Sequence, residues 1–339
     1  SLRGTSKNGI EDYQGAIEDC SKAIELDPKY EDAYYYRGLA KNQLKDFKGA
    51  IEDFNKAIEL NPKWSNAFYY RGLAKNQSDD YKGAIEDFNK AIELDPKYAD
   101  AYYFRGLTKN QSDDYKGAIE DFNQAIELNP QWSNAYYFRA LTKNQLNDYK
   151  GAITDCNRAL ELNPEYTEAY WLRGTSKNGL KDYQEALKDL NKAIELNSQF
   201  IDVYHQRGCS KIALHDFNGA IADFSKVIET NPNNGEVYSL RGLAKINIKD
   251  YIEAIKDLDK AIELNPQYSN AYYFRSLAKS GLNHLHEAIK DLDKALELNP
   301  NEAEAYYYRG VAKNLLGPDG SGSSDLKKAD ELGFKKEKQ

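Results

Sequence analysis

Two cations one helical turn apart are the first candidates for chemistry in this sequence. In the stretch AYYYRGLAKN, residues 33–42, Arg37 and Lys41 are four residues apart, so a helix would place them on one face. Such a pair could hold an anionic ligand, because guanidinium and ammonium groups bind carboxylates and phosphates. In a structural role, the two cations would instead meet carboxylates of the same chain.

Other candidates for chemistry are few. The histidines and cysteines are scattered: His205, His215, His284, His286, Cys20, Cys156 and Cys209. The stretch HLH puts its two histidines on nearly opposite sides of a helix, a poor metal pair without a third ligand, and no CxxC pair occurs. The stretch GPDGSGSS at 317–324 lacks the GK[ST] of a phosphate-binding loop. We therefore predict no enzyme, no metal site and no cofactor.

A strict period of 34 residues governs the chain. Prolines recur at this interval or twice it, and Ser198 fills the gap: Pro28, Pro62, Pro96, Pro130, Pro164, Pro232, Pro266 and Pro300. We count repeats from the third residue after each proline, so residue 31 is place 1 and residue 64 is place 34. Eight full repeats cover 31–302, a partial repeat covers 1–30, an atypical last repeat covers 303–336, and 337–339 is a tail. The period indicates one repeat array, not separate globular domains.

Each repeat contains two helical patterns. Bulky and small residues such as Tyr34 and Gly38 mark the first helix, and apolar residues including Ala50 recur every three or four positions in the second. Asp46 is the predicted N-cap of the second helix, and Pro62 ends it. One helix pair cannot bury its apolar face alone, so copies must stack. We predict an all-α solenoid of stacked antiparallel helix pairs without strands.

The repeats resemble the tetratricopeptide repeat family. The family pattern has bulky residues at places 4 and 24, a small residue at place 8, an aromatic residue at place 17, alanine at places 20 and 27, and proline at place 32. In the first full repeat these places hold Tyr34, Phe54, Gly38, Phe47, Ala50, Ala57 and Pro62. The resemblance implies a right-handed superhelix whose first helices line a concave groove while its second helices face outward. It also implies binding rather than catalysis.

Three charged places do not vary between the repeats. Place 7 is arginine from Arg3 to Arg309, place 11 is lysine from Lys7 to Lys313, and place 23 is always aspartate. The family usually has an apolar residue at place 7. Place 22 changes freely, as a solvated position does, so we interpret the constant charges as structural ion pairs rather than as an anion-binding stripe. The predicted pairs include Arg37 with Asp53 or with Asp19 of the preceding unit, Arg71 with Asp87, and Arg105 with Asp121.

Places 2, 5, 9 and 12 share one face of the first helix, which the family geometry makes concave. A rotation of about 100° per residue puts Tyr34 in the core and turns Tyr35 toward the groove. The predicted groove residues are Tyr35, Tyr69, Tyr103, Tyr137, Trp171, Tyr273 and Tyr307 at place 5, Asn42, Asn76, Asn110, Asn144 and Asn178 at place 12, and Asp32, Asp100 and Glu168 at place 2. Aromatic rings and carboxamides suit a peptide ligand. Alternatively, the tyrosines are half-buried fillers and the asparagines are polar residues near a helix end.

The charged residues of the sequence restrict the class of partner that the groove can bind. Places 2, 5, 9 and 12 hold no lysine or arginine, so we expect a neutral-to-basic peptide. Some co-chaperone members of the family clamp a terminal carboxylate with residues at places 2, 5, 6 and 9, and because these places also lack lysine and arginine here, we reject such a clamp. The net charge of −8 argues against nucleic acid as a partner, and no apolar run approaches the roughly 18 residues of a membrane span. Lone thiols favour the cytoplasm, but the compartment stays open because the sequence lacks methionine, and we expect the natural start upstream of Ser1.

The leading hypothesis is a non-catalytic protein–protein interaction scaffold that binds a peptide segment in its groove. A second hypothesis is a self-assembling structural array joined through repeat surfaces. A third is the targeting module of a longer protein. The sequence leaves the partner and the oligomeric state open.

Overall fold

The structure, a computed structural model, describes residues 12–317 and 321–334, which form nineteen α-helices and no β-strand. Arg3, Lys7 and the tail 337–339 lie outside these residues. The helices are α1 (Tyr13–Leu26), α2 (Glu31–Gln43), α3 (Phe47–Leu60), α4 (Ser65–Asn76), α5 (Tyr81–Leu94), α6 (Ala99–Gln111), α7 (Tyr115–Leu128), α8 (Ser133–Gln145), α9 (Tyr149–Leu162), α10 (Thr167–Gly179), α11 (Tyr183–Leu196), α12 (Ile201–Ala213), α13 (Phe217–Thr230), α14 (Gly235–Asn247), α15 (Tyr251–Leu264), α16 (Ser269–Gly281), α17 (Leu285–Leu298), α18 (Ala303–Leu316) and α19 (Ser323–Glu331). The predicted all-α architecture is confirmed.

The chain divides into two compact units, residues 1–172 and 173–339, with the boundary inside α10. Within each unit the two helices of a repeat pack on each other, and each second helix also packs on the next first helix. First helices touch their counterparts in the next repeat, as α2 touches α4 and α14 touches α16, but no second helices within the described ranges touch in this way. The first helices therefore form the inner layer of each unit, and the surface they present is called the inner face below.

Glycine lets the helices of a pair approach closely. Gly38 of α2 packs on the fully buried ring of Phe54 in α3, and a Cβ atom on Gly38 would lie 2.8 Å from Cε1 of that ring. In the repeat of α8 and α9, alanine replaces this glycine at Ala140, and the buried residue at the phenylalanine place is Cys156. A phenylalanine on the second helix thus packs against a glycine on the first helix, which has no side chain.

The turn between the helices is set by two adjacent residues. Asp46 is the N-cap of α3, and its Oδ1 accepts a hydrogen bond from the backbone N–H of Gly49 at 3.0 Å. Lys45, just before the cap, has a φ angle of 61°, in the left-handed region. Helix α3 ends at Leu60, two residues before Pro62, as the position of the proline predicts.

Candidate functional site

A buried ion triad joins the two helices of each repeat. Arg37 donates from Nε to Oδ2 of Asp53 at 2.9 Å and from Nη2 to Oδ1 at 2.7 Å. Nζ of Lys41 lies 2.7 Å from the same Oδ2. The Asp53 side chain is 5% exposed and each cation is 19% exposed. Hydrogen bonding to Asp53 raises the pKa of Arg37, against the opposing effect of burial.

The same triad recurs in every later repeat. Its aspartates are Asp87, Asp121, Asp155, Asp189, Asp223, Asp257, Asp291 and Asp325, each held by the arginine and lysine of its own repeat. Arg71 and Arg105 lie 2.5 Å from their aspartates. Between the two partners that the sequence left open for Arg37, the structure selects Asp53. The arginine and lysine of each triad are therefore both bound to a carboxylate of their own repeat.

The arginine also joins neighbouring repeats, which sequence reasoning missed. Its third nitrogen, Nη1, donates to a side chain on the second helix of the preceding repeat, 2.7 Å away in the contact of Arg71 with Asn55. Toward the C-terminus this acceptor becomes a carboxylate, and Arg275 lies 2.6 Å from Asp259. The sequence does indicate this contact at place 25, because that place is serine, asparagine or aspartate in every repeat from Ser21 to Asp293, and all three side chains can accept a hydrogen bond.

The expectation that tyrosines at place 5 form an exposed lining is wrong about their exposure. Tyr35, Tyr69, Tyr103 and Tyr137 are only 6–8% exposed, whereas the neighbouring Tyr34, expected in the core, is half-buried. Burial raises the pKa of the Tyr35 hydroxyl well above its ordinary value. Trp171, Tyr273 and Tyr307 are half-buried.

A second ring covers each of the four buried tyrosines at place 5. The ring centroid of Tyr35 lies 4.4 Å from that of Trp64, at place 34, and 5.8 Å from that of Tyr70 in the next first helix. Tyr103 and Trp132 repeat the contact at 4.3 Å. The place-5 ring is therefore enclosed by the loop and the first helix that follow it, and it packs the repeats together.

The predicted asparagines are all half-buried: Asn42, Asn76, Asn110, Asn144 and Asn178. Asn76 donates from Nδ2 to Oγ1 of Thr108 at 3.0 Å and to Oε1 of Gln111 at 2.8 Å. Asn178 accepts a hydrogen bond from Oγ of Ser210 at 2.7 Å. Oδ1 of Asn42 and Oδ1 of Asn110 are buried without a hydrogen-bond partner among the described residues. The row thus combines contacts between repeats with unused acceptors.

The predicted acids lie beside the buried tyrosines. Asp100 and Glu168 are exposed, and Asp32 is half-buried. The pKa of the Tyr69 hydroxyl is raised by burial first and by the nearby Asp100 carboxylate second. Glu168 acts in the same way on Tyr137. Each of these two acids therefore contributes negative charge next to the inner face of the preceding repeat.

A pocket of about 300 Å³ lies on the inner face of the first unit. Its walls belong to α4 and the C-cap residue that follows it, to α6 and to α8: Leu73, Asn76, Gln77, Phe104, Leu107, Asn110, Gln111 and Phe138. The rings at this surface come from place 6, one residue beyond the place that sequence reasoning chose. Two of the predicted site residues, Asn76 and Asn110, line the pocket.

Neither a metal site nor a membrane span is found in the described ranges. No group of three or more histidine, cysteine, aspartate or glutamate side chains within 12–317 and 321–334 could hold a metal ion. None of the helices described is both long enough and apolar enough to cross a bilayer.

Models of the tetratricopeptide repeat match most of the chain. One tetratricopeptide repeat model matches residues 31–63, 99–131 and 133–166. A second tetratricopeptide repeat model matches 167–200, 201–234 and 235–268, and a TPR repeat model matches 10–45, 74–111 and 282–317. No curated protein matches the chain significantly.

Solved structures share the fold. The C-terminal part of a TPR repeat-containing protein from Cytophaga hutchinsonii is 18% identical with a TM-score of 0.58, and the match covers 70% of this chain and 97% of that one. A tetratricopeptide repeat protein from Parabacteroides merdae is 18% identical with a TM-score of 0.55, over 74% of this chain and 99% of that one. YrrB, described as a TPR protein with an unusual peptide-binding site, is 24% identical with a TM-score of 0.50, over 56% and 97%.

At these identities the structural likeness concerns the fold alone. The family matches recur in register with the 34-residue period, and the helix pairs follow the same period. The chain belongs to the tetratricopeptide repeat family.

Proposed function

We propose that the chain is a non-catalytic scaffold that binds an extended, neutral-to-basic segment of another protein along its inner face. Its repeats and its structural relatives support the general role of a protein-interaction scaffold. The observation that carries the finer proposal is the ion triad. Because Asp53 holds both Arg37 and Lys41, the constant cations of the first helix are not free to attract an anionic ligand.

The exposed charges that the first helices carry at place 2 are all negative. Asp100 and Glu168 are exposed at the starts of α6 and α10, and places 2, 5, 6, 9 and 12 contribute no lysine or arginine in any full repeat. A surface lined by one sign of charge attracts ligands of the opposite sign and disfavours its own. This arrangement supports a neutral-to-basic partner and disfavours nucleic acid.

Carboxamides support an extended segment as the ligand. Asn110 and Gln111 have both donors and acceptors, which match the alternating N–H and C=O groups of a peptide backbone. The apolar groups beside them, Leu107 and Phe138, can contact side chains. The asparagines that join neighbouring repeats, such as Asn76, would hold this surface in a fixed geometry.

A random library of displayed twelve-residue peptides, selected on the immobilised protein, tests the proposal. We expect enrichment of neutral-to-basic sequences with apolar residues, and affinities that fall as salt rises, because exposed charges are screened over about 8–10 Å. The variant Asp100→Asn with Glu168→Gln should weaken the basic sequences. The matched control, Glu59→Gln with Glu93→Gln, removes the same charge from the outer helices and should change little.

Enrichment of acidic sequences, or of none, would contradict the proposal. Light scattering over a range of protein concentrations addresses the self-assembling array. A mass that stays constant favours a scaffold over an array, and a mass that grows with concentration favours the array.

A further inference from the structure

The pocket on the first unit has a composition that restricts its ligand. Four of its lining residues are apolar and four are carboxamides, and none is formally charged: Leu73, Phe104, Leu107 and Phe138, then Asn76, Gln77, Asn110 and Gln111. A charged group placed in such a pocket would lose its hydration without gaining a counter-ion. The pocket therefore suits an uncharged apolar group with hydrogen-bonding groups beside it.

A volume of about 300 Å³ fits one bulky side chain rather than a folded element. The three helices that form the pocket, α4, α6 and α8, belong to one unit and pack on one another in sequence. The hydrogen bonds from Asn76 to Thr108 and Gln111 connect α4 to α6 at the pocket wall. Such a wall is preformed, and preformed sites avoid much of the ordering cost of binding.

We propose that this pocket receives one leucine, phenylalanine or tryptophan side chain of an extended peptide, whose backbone is held by the surrounding carboxamides. The inference rests on the proposed function and names the anchor that the bound segment must carry. Asn110 lines the pocket and has an oxygen without an internal partner, so it can turn that acceptor to a peptide N–H at no loss of an existing hydrogen bond.

The acid on α6 fixes the distance to a second contact. Asp100 and Leu107 are seven residues apart on one helix, which is about 10 Å along its axis. An extended peptide covers that distance in about three residues. A lysine three residues from the anchor can therefore reach the exposed Asp100, and the recognised sequence is an apolar anchor with a cation three residues away.

The test uses a synthetic peptide with this spacing, acetyl-Lys-Gly-Gly-Phe-Gly-Gly-Lys-amide. Two peptides serve for comparison: in one, alanine replaces phenylalanine, and in the other, glutamate replaces both lysines. Binding to the full chain is measured by calorimetry, and folding of each variant is checked by its melting temperature. Alanine in place of phenylalanine should weaken binding about ten-fold or more, because a buried ring is lost.

Matched variants locate the site. Asn110→Ala should weaken the peptide about three- to ten-fold, the worth of one hydrogen bond, without lowering the melting temperature. Gln111→Trp, at an exposed wall residue, should block the pocket and remove measurable binding. The controls are Gln124→Ala and Gln124→Trp, at an exposed position of the second helix α7 that belongs neither to the pocket lining nor to the predicted groove, and both should bind as the parent does.

The outcomes separate the two proposals. If the phenylalanine and alanine peptides bind equally, or if Asn110→Ala and Gln111→Trp bind like the parent, the pocket inference is overturned while a preference for lysine over glutamate preserves the proposed function. If the phenylalanine peptide does not bind at millimolar concentration, the pocket inference is overturned, and the library selection decides the proposed function alone. Tighter binding of the glutamate peptide overturns both.

Discussion

Nη2 of Arg37 lies 2.7 Å from Oδ1 of Asp53, although 16 residues separate the two in the sequence. The second carboxylate oxygen receives Nε of the same arginine and also Nζ of Lys41. One buried carboxylate therefore binds two cations of the facing helix, and the triad keeps a net charge of +1. The pair raised at the sequence level as a ligand site is thus part of the framework that fixes the spacing of the two helices.

Removal of the shared carboxylate should destabilise the protein more than removal of the whole triad. Asp53→Ala leaves Arg37 and Lys41 largely buried without a counter-ion, and we expect a loss of about 3 kcal/mol in the free energy of unfolding, the lower end of the range for broken buried pairs, since both cations keep some solvent contact. The triple variant Arg37→Met, Lys41→Met, Asp53→Leu should lose less. Urea unfolding monitored by circular dichroism measures both.

The control for this comparison is an exposed pair. Glu59 meets Lys56 on the solvent side of α3, and Glu59→Ala should leave the unfolding midpoint nearly unchanged. A triple variant as unstable as Asp53→Ala, or more so, would show that the loss comes from packing rather than from unpaired charge.

The fold was predictable because its signals are local and repeated. Pro62 and Asp46 mark the end and the start of a helix in any context, and a 34-residue period multiplies each signal. The partner of Arg37 was predictable to within two residues because place 23 never changes. The contact from Arg71 to Asn55 was harder to foresee, because place 25 varies among serine, asparagine and aspartate. Only the geometry shows that all three accept a hydrogen bond from the arginine.

The inner face was predicted less well because three successive aromatic residues leave open which side of the helix faces the core. Tyr34, Tyr35 and Tyr36 are the same residue type, so composition cannot show which ring faces the core. The answer comes from Trp64 and Tyr70 of the following elements, which close over Tyr35. A binding test by Tyr69→Ala would consequently report lost packing, so pocket residues such as Asn110 are the better targets.

The contact between Gly38 and Phe54 predicts a substitution whose effect changes sign with its background. Gly38→Ala puts a Cβ atom 2.8 Å from the buried ring, and overpacking of this kind costs about 1–3 kcal/mol, more than the roughly 1 kcal/mol by which alanine favours a helix over glycine. In the background Phe54→Cys, which copies the natural combination of Ala140 with Cys156, the ring is absent and the same change should stabilise.

A double-mutant cycle of these two substitutions, measured by thermal unfolding, gives the coupling directly. We expect Gly38→Ala to lower the melting temperature of the parent and to raise that of Phe54→Cys. Effects of equal sign and size in both backgrounds would mean that the helices move apart to accept the methyl group, so that the close approach does not depend on glycine.

Glu302 predicts how the stability of the last described helix pairs depends on pH. Burial raises the pKa of this carboxyl, and the neighbouring Glu304 raises it further by hydrogen bonding and charge. A raised pKa means that the folded protein holds the proton more tightly than the unfolded chain, so stability falls as pH rises through the folded-state pKa. The variant Glu302→Gln removes this titration and can still accept the hydrogen bond that Asn299 donates at 2.7 Å. It should therefore melt at a higher temperature than the parent at pH 7. This difference in melting temperature should shrink toward zero below about pH 4, where model-peptide glutamate is itself largely protonated.

Melting curves of the parent and of Glu302→Gln at pH 4, 5.5 and 7 test the sign of this pH dependence. A difference that is the same at all three values would show that the gain comes from the amide group and not from the relief of a charge.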